Sequence, residues 1–209
     1  EKAVWIDYDH DGDLDLLVIN NSPRPVSSFG LRNLRNVSVP YGGAKLYRND
    51  GTGKGDTHFT DVTEKAGIHS PEAAFGLGVV VADVDRDGWP DVYVSNDFFE
   101  RDYLYINNRD GTFRDAIESA MPVLSYSSMG LDIADVDNDG WPDVYTTDML
   151  PEDESRLKTT AAFDRWDVYQ TKVRNALPHQ SMRNMLQHND RDGTFSDVGQ
   201  MAGVARTDW

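Results

Sequence analysis

Apolar residues along this chain fall into short runs rather than helical stripes. "KAVWI", "DLLVIN", "GLGVVVA", "DVYVSN" and "DYLYIN" are rich in Val, Ile and Tyr and are bounded by Asn, Asp and Gly, the pattern of strands joined by tight turns. The runs recur in a fixed order. A first run enters an acidic loop ("KAVWIDYD", "GLGVVVADVD", "MGLDIADVD") and a second leaves it ("DLLVIN", "DVYVSN", "DVYTTD"). A third ends in a polar turn ("AKLYRNDGTG", "DYLYINNRDGTF", "NMLQHNDRDGTF"), and a fourth closes the unit ("HFTDVTEKAGI", "TFRDAIESAM", "TFSDVGQMAGV"). Asp-Gly between the third and fourth runs is a hairpin signal. Four-stranded antiparallel units in tandem predict an all-β chain built as β-propeller blades.

The units span about 1–68, 69–121 and 122–204, with 205–209 starting a further blade. Long insertions, 21–43 and 149–181, separate the second and third runs of the outer two units. A ring takes about four to eight blades, so three predict an arc of a larger propeller. Remaining blades or partner chains are expected to complete it, because an open arc leaves an apolar flank at each end.

The loops carry the chemistry. Residues 7–15 read "DYDHDGDLD", 83–91 "DVDRDGWPD" and 135–143 "DVDNDGWPD", each with Asp at positions 1, 3, 5 and 9 and Gly at 6. Carboxylates packed this closely repel and raise one another's pKa unless a cation compensates them. Alternating Asp followed by Gly at the sharp turn is how hard-cation loops present oxygen ligands. A helical calcium loop closes with Glu at position 12, where the second loop has Val94 inside a strand-like run, so these loops join strands. An acidic loop is ordinarily a solvated turn, but three full matches point to Ca2+, about three ions per chain. Oxygen ligands favour calcium over softer metals, and magnesium prefers to keep its waters.

Composition narrows the function. The 209 residues carry a net charge of −16, and three divalent cations would leave −10, which argues against nucleic acid and anionic membrane surfaces as partners. With no cysteine there are no disulfides or thiolate metal sites, and no apolar run is long enough to span a membrane. The chain begins at Glu1 inside a strand-like run, as if processed or cut from something longer.

Phe75-Gly76, the "DVDRDGWPD" loop and the "YVSND" after it resemble FG-GAP or VCBS repeats, the blades of integrin α-chain propellers. "ERDYLYINNRDGTF", "SMGLDIADVDNDGWPDVYTTDMLPED" and "RNMLQHNDRDGTFSDVGQMAGVARTDW" are similar to bacterial secreted FG-GAP proteins that end in an ASPIC and UnbV domain, a group similar to cartilage acidic protein. The Gly-Ala-Pro half of the FG-GAP name and the ASPIC and UnbV portion are missing here. The resemblance implies a calcium-stabilised propeller, extracellular or at the cell surface, secreted or periplasmic, used for binding or adhesion. Carried over by position, its ligands are the side chains of Asp7, Asp9, Asp11 and Asp15 with the carbonyl of Asp13, and those of Asp83, Asp85, Asp87 and Asp91 with that of Trp89. In the third loop they are Asp135, Asp137, Asp139 and Asp143 with the carbonyl of Trp141. The indoles of Trp89 and Trp141 are expected to pack between blades.

In an antiparallel meander the acidic loops and the Asp-Gly turns share one face, so both insertions crowd the other. Long loops on a rigid scaffold are where binding usually resides, which puts a protein or glycan partner on the face opposite calcium. Arg24, Arg32, Arg35 and Tyr41 in the first insertion and Trp166, Tyr169, Arg174 and His179 in the second are candidate anchors; the alternative is that they tie the insertions to the scaffold. One phenylalanine of "NDFFERDY" is expected between blades. The five histidines fall in no zinc or nucleophile motif, so a binding module and not an enzyme is expected. The alternatives are an architectural subunit of a surface assembly or filament, and a propeller hydrolase or lyase.

Overall fold

The computed structural model describes residues 2–25, 28–29, 33–51, 55, 57–98, 100–160, 166–175 and 179–207. The chain is mostly β. Strands β1 (Lys2–Ile6), β2 (Asp15–Asn20), β3 (Gly43–Asn49) and β4 (Phe59–Asp61) form one antiparallel sheet in that order. β5 (Gly76–Ala82), β6 (Asp91–Asn96), β7 (Tyr103–Asn107) and β8 (Phe113–Asp115) form the second. A short helix α1 (Ile117–Ala120) and strand β9 (Leu124–Ser125) lead to β10 (Gly130–Ala134) and β11 (Asp143–Thr147). Helices α2 (Glu154–Thr160) and α3 (Trp166–Arg174) and strand β12 (Gln180–Ser181) precede β13 (Met185–Asn189) and β14 (Phe195–Asp197). The third sheet runs β10-β11-β13-β14, and β12 pairs in parallel with β9.

The first strands lie side by side, β1 against β5 and β5 against β10, so the sheets fan outward from them as a propeller-like arc that does not close. One core lies between the first two sheets, with Ile6, Tyr8, Leu17, Ile19 and Leu46 against Val92, Val94, Tyr105 and Phe113. The other joins Val84, Tyr93, Leu104 and Ile106 to Val144 and Phe195. Covered on both sides, β6 and β7 are buried at every residue, whereas β2 alternates. That accounts for consecutive Val-Tyr-Val in "DVYVSN" and Tyr-Leu-Tyr-Ile in "YLYIN" where a strand with one solvated face would alternate.

Hydrogen bonds cross between sheets at fixed places. Asn107 Nδ2 donates to Tyr8 O at 2.8 Å and to Pro90 O at 3.3 Å. Asn189 Nδ2 donates to Val84 O at 2.9 Å and to Pro142 O at 3.1 Å. Each asparagine thus ties its own sheet to the acidic loop of the sheet before. The Phe113 N–H donates to Ala66 O at 2.8 Å, and glycine is needed beside it at 67, where φ is +78° and a Cβ would stand 2.6 Å from Phe113 O.

The insertions are partly tied down. Arg24 pairs with Glu72 at 2.6 Å, and Arg35 with Glu118 at 2.8 Å and Glu100 at 3.4 Å; Arg32 lies outside the described residues. Tyr41 is 83% exposed. In the second insertion Trp166, 72% exposed, stacks on Tyr169 with ring centres 5.5 Å apart, and the Tyr169 hydroxyl meets His179 Nδ1 at 2.7 Å. Behind it Asp148 Oδ2 accepts from Ser125 Oγ at 2.6 Å and from the N–H groups of Tyr126 and Ser127 at 3.0 Å. Phe98 packs edge-on against Phe75 at 5.2 Å; Phe99, Asp208 and Trp209 lie outside the described residues.

Asn49 occupies the place of Asn107 and Asn189 in the first sheet, but its Nδ2 reaches only Leu14 O, at 3.3 Å and exposed. All three asparagines also accept a backbone N–H two residues on, so the cross-sheet bond is the difference. Asn107→Ala and Asn189→Ala each leave a buried carbonyl unpaired and should cost about 2 kcal/mol in urea unfolding, against less than about 1 kcal/mol for Asn49→Ala. Equal losses at the three positions would show that the cross-sheet bonds do not hold the array.

Candidate metal centre

Each acidic loop closes the corner between the first two strands of its sheet. The backbone adopts the left-handed region at position 4 (His10 φ 56°, Arg86 φ 57°, Asn138 φ 61°) and again at position 6. At position 6 Gly12 has φ +93° and Gly88 φ +89°, with nothing near a virtual Cβ, so glycine is required there by conformation rather than by space. The double reversal turns alternate carboxylates inward.

The carboxylates at positions 1, 3 and 9 converge in all three loops. One oxygen each of Asp7, Asp9 and Asp15 lies within 4.8 Å of the others, and the same holds for Asp83, Asp85 and Asp91 and for Asp135, Asp137 and Asp143. Position 9 is buried, with Asp15 0%, Asp91 1% and Asp143 1% exposed. Its oxygens are already engaged. Asp91 accepts from Asn107 N at 2.8 Å and Val84 N at 2.9 Å, Asp15 from Asn49 N at 2.8 Å and Tyr8 N at 3.2 Å, and Asp143 from Asn189 N at 2.9 Å and Val136 N at 3.1 Å. The aspartate predicted as a closing ligand is therefore also the clamp that joins loop, second strand and the hairpin beyond.

Position 5 stands apart from the triads. Asp11, Asp87 and Asp139 accept the N–H of position 7 at 2.9, 2.8 and 2.8 Å. Asp87 also receives Arg109 Nε at 2.7 Å, and Asp139 receives Arg191 Nε at 3.0 Å. Neither arginine is legible in the loop motif, although both stand two residues after the tie asparagine, where the first sheet has Gly51. The indoles of position 7 pack between loops: Trp89 stacks on His10 of the preceding loop with ring centres 3.9 Å apart, and Arg86 lies 5.6 Å over the ring of Trp141. In the third loop His188 Nδ1 stands 3.1 Å from Asp143 Oδ1, and its ring joins Asp137 and Asp139 in a further convergent group.

Two loops leave their carboxylates under electrostatic stress. Burial pushes Asp91 up to about 7 against the lowering effect of its two N–H donors, and Asp15 up to about 6 for the same reason. Burial first and a neighbouring carboxylate second also raise Asp9, beside Asp11, and Asp85, beside Asp87. Asp139 is lowered by the Trp141 N–H and by Arg191. In the first loop the inward oxygens Asp7 Oδ1 and Asp9 Oδ1 are buried with no hydrogen-bond partner among the described residues. Unpartnered buried carboxylate oxygens, hard donors set on a rigid turn, fit a hard divalent cation held by positions 1, 3 and 9.

A model of FG-GAP-like repeats matches residues 34–94 and 83–146. The chain belongs to the FG-GAP-like repeat family. The second acidic loop lies in the overlap of the two matched segments, and the third in the later one. None of the curated proteins matches this FG-GAP chain. Among solved structures it is similar to one described as the basis of specific recognition of non-reducing terminal N-acetylglucosamine by an Agrocybe aegerita lectin, at 15% identity and a TM-score of 0.44. The match covers 93% of this chain and 36% of that one, so the FG-GAP chain spans about a third of its length.

The raised carboxylates fix the sign of a pH effect. The folded, metal-free chain holds a proton at Asp91 to about 7 and at Asp15 to about 6, while the ordinary value is 3.8. Their protonation therefore favours the metal-free fold fully below about pH 4, and the benefit fades as pH rises through 6 to 7. A divalent cation competes with those protons. The gain in melting temperature from calcium should be larger at pH 8 than at pH 5.5; a gain independent of pH would place the ion elsewhere.

Proposed function

We propose that this FG-GAP chain is a calcium-stabilised arc of a β-propeller that serves as an extracellular, non-enzymatic binding module. The observation that carries the reading is the threefold convergence of position 1, 3 and 9 carboxylates, with the buried unpartnered oxygens of Asp7 and Asp9 aimed inward. The ions are structural in this reading. They neutralise the corner between the first two strands of each sheet, and binding to the folded state alone adds to its stability.

The face opposite the acidic loops is the proposed contact surface for a protein or glycan. The exposed rings of Tyr41 and Trp166 in the two insertions support that choice, since aromatic residues are favoured at contact sites. The bacterial secreted type with an ASPIC and UnbV portion is the proposed branch of the family, on the motifs quoted above.

A second reading, an architectural unit completed by further blades or partner chains, is supported by the flanks. Position 2 of the loop is buried under the next sheet at Tyr8 (2% exposed) and Val84 (3%), but Val136 is 54% exposed; on the other flank Trp5 is 56% exposed. The two readings are compatible, since a completed ring can still present its insertion face.

Thermal unfolding with calcium, with magnesium and with chelator, paired with elemental analysis, tests the metal. Each ion at about 100 times its Kd should add about 2.7 kcal/mol, so calcium should raise the melting temperature strongly and magnesium much less. Asp83→Asn with Asp85→Asn should lower the metal count by one ion. If chelation changes nothing and no metal is found, the loops are ordinary turns.

A further inference from the structure

The junction between the first and second sheets is made of matched pairs, and the two outer flanks of the arc carry the same halves unmatched. Asn107 Nδ2 keeps one bond to Pro90 O of its own loop and gives another to the carbonyl of Tyr8 in the loop before. Phe113 opens the last strand of the second sheet, gives its N–H to Ala66 O and sets its ring 5.9 Å from that of Tyr8. Ala66 belongs to a turn held by the bonds Ala66 N to Val62 O, Gly67 N to Glu64 O and Ile68 N to Thr63 O. The turn and the carbonyl of position 2 are the receiving half, and the asparagine and the phenylalanine are the giving half.

On the open side of the third sheet the receiving half recurs alone. The turn after β14 repeats the three bonds, Ala202 N to Val198 O, Gly203 N to Gln200 O and Val204 N to Gly199 O. Gly203 has φ +76°, as Gly67 has +78°, but nothing stands within 4 Å of a virtual Cβ. Position 2 is Val136, 54% exposed, and no asparagine reaches its carbonyl among the described residues. On the open side of the first sheet the giving half recurs alone. Asn49 Nδ2 keeps the bond to its own loop, at Leu14 O, and meets no carbonyl of another sheet. Phe59 opens the last strand in the place of Phe113 and lies 6.3 Å from the exposed ring of Trp5. Apolar patches rimmed by polar groups mark association surfaces, and these two are complementary.

We infer that a second copy of this chain covers both flanks, head to tail, the first sheet of each copy packing on the third sheet of the other. The inference rests on the reading of the arc as a unit completed by partner chains, and it names the partner. In each junction Asn49 Nδ2 of one copy donates to Val136 O of the other. Phe59 brings its N–H to Ala202 O and its ring to Val136, as Phe195 shares a core with Val84. Head-to-tail contacts either close into a ring or run on as a filament. One copy supplies three four-stranded sheets among the described residues, and a ring takes about four to eight. Two copies are the whole number that falls within that range.

Sedimentation equilibrium of the whole chain should give twice the chain mass, with Kd about 10 µM or tighter. Neither Asn49 nor Val136 is buried in the single chain, so Asn49→Ala and Val136→Lys leave its fold intact. Each should weaken the dimer about tenfold or more, the first by leaving a covered carbonyl unpaired and the second by burying an unpaired charge. A monomer at about 100 µM, a mass that rises without limit beyond two copies, or a dimer indifferent to both substitutions would overturn the proposal. Should Val136→Lys fail to fold, Asn49→Ala decides alone. The chain has no cysteine of its own, so the reaction of Val136→Cys with Ellman's reagent separates this proposal from the reading beneath it. Protection that grows with dimer formation supports the junction. Free-thiol reactivity in a chain that stays monomeric rejects the second copy and leaves the flank open to another partner, whereas slow reaction in a monomer rejects the open flank as well.

Discussion

Behind every acidic loop sits a carboxylate that solvent does not reach. Asp15, Asp91 and Asp143 each take one N–H from position 2 of their own loop and one from the asparagine that ends the third strand. That asparagine, at 107 and 189, then reaches back to the carbonyl of position 2 in the loop before. Loop, hairpin and neighbouring sheet are therefore joined through one buried charge. Removing a partner from a buried charged group costs more than removing a surface contact, so the array depends on these residues more than on any single apolar contact.

The strands and their grouping into fours were legible because turns of Asn, Asp and Gly separate short apolar runs in a fixed order. Burial of every residue of "DVYVSN" was not legible, because Asp, Ser and Asn flank its apolar residues and only a sheet covered on both faces can bury a whole strand. The loops were legible as clusters of carboxylates, but the division of labour inside them was not. Positions 1, 3 and 9 converge, while position 5 turns to the N–H of position 7 and, in two loops, to an arginine more than twenty residues away. A motif records which residues are near in sequence; Arg109 and Arg191 enter from a hairpin that the fold alone brings to the loop. The anchoring of Arg24 and Arg35 to Glu72, Glu100 and Glu118 was hidden for the same reason.

Repetition of the backbone has not meant repetition of the surface. At position 2 one frame holds Tyr8, Val84 and Val136, and the outcomes are a core built round an aromatic ring, a core built round an aliphatic side chain and an exposed flank. Packed interiors respond to the volume of a single side chain, so a repeat protein can vary what lies between its sheets without disturbing the hydrogen bonds that set their spacing. The clamp fixes the position of the Cα, and the neighbouring sheet decides whether the side chain there joins a core or faces solvent.

The same logic separates the three loops electrostatically. Arg109 and Arg191 partly neutralise the second and third loops through Asp87 and Asp139. In the first loop the corresponding residue is Gly51, and Arg48, the nearest cation, is paired with Asp50 at 2.7 Å. That loop also carries a fifth aspartate, Asp13, and holds the two buried carboxylate oxygens without partners. Like charges left unscreened by protein groups raise the free energy of the folded chain until protons or a cation compensate them. The charge that the protein itself leaves uncompensated is thus greatest in the first loop, which sits on the sheet with one side uncovered. The second loop, closed in on both sides by neighbouring sheets, has instead an arginine of its own.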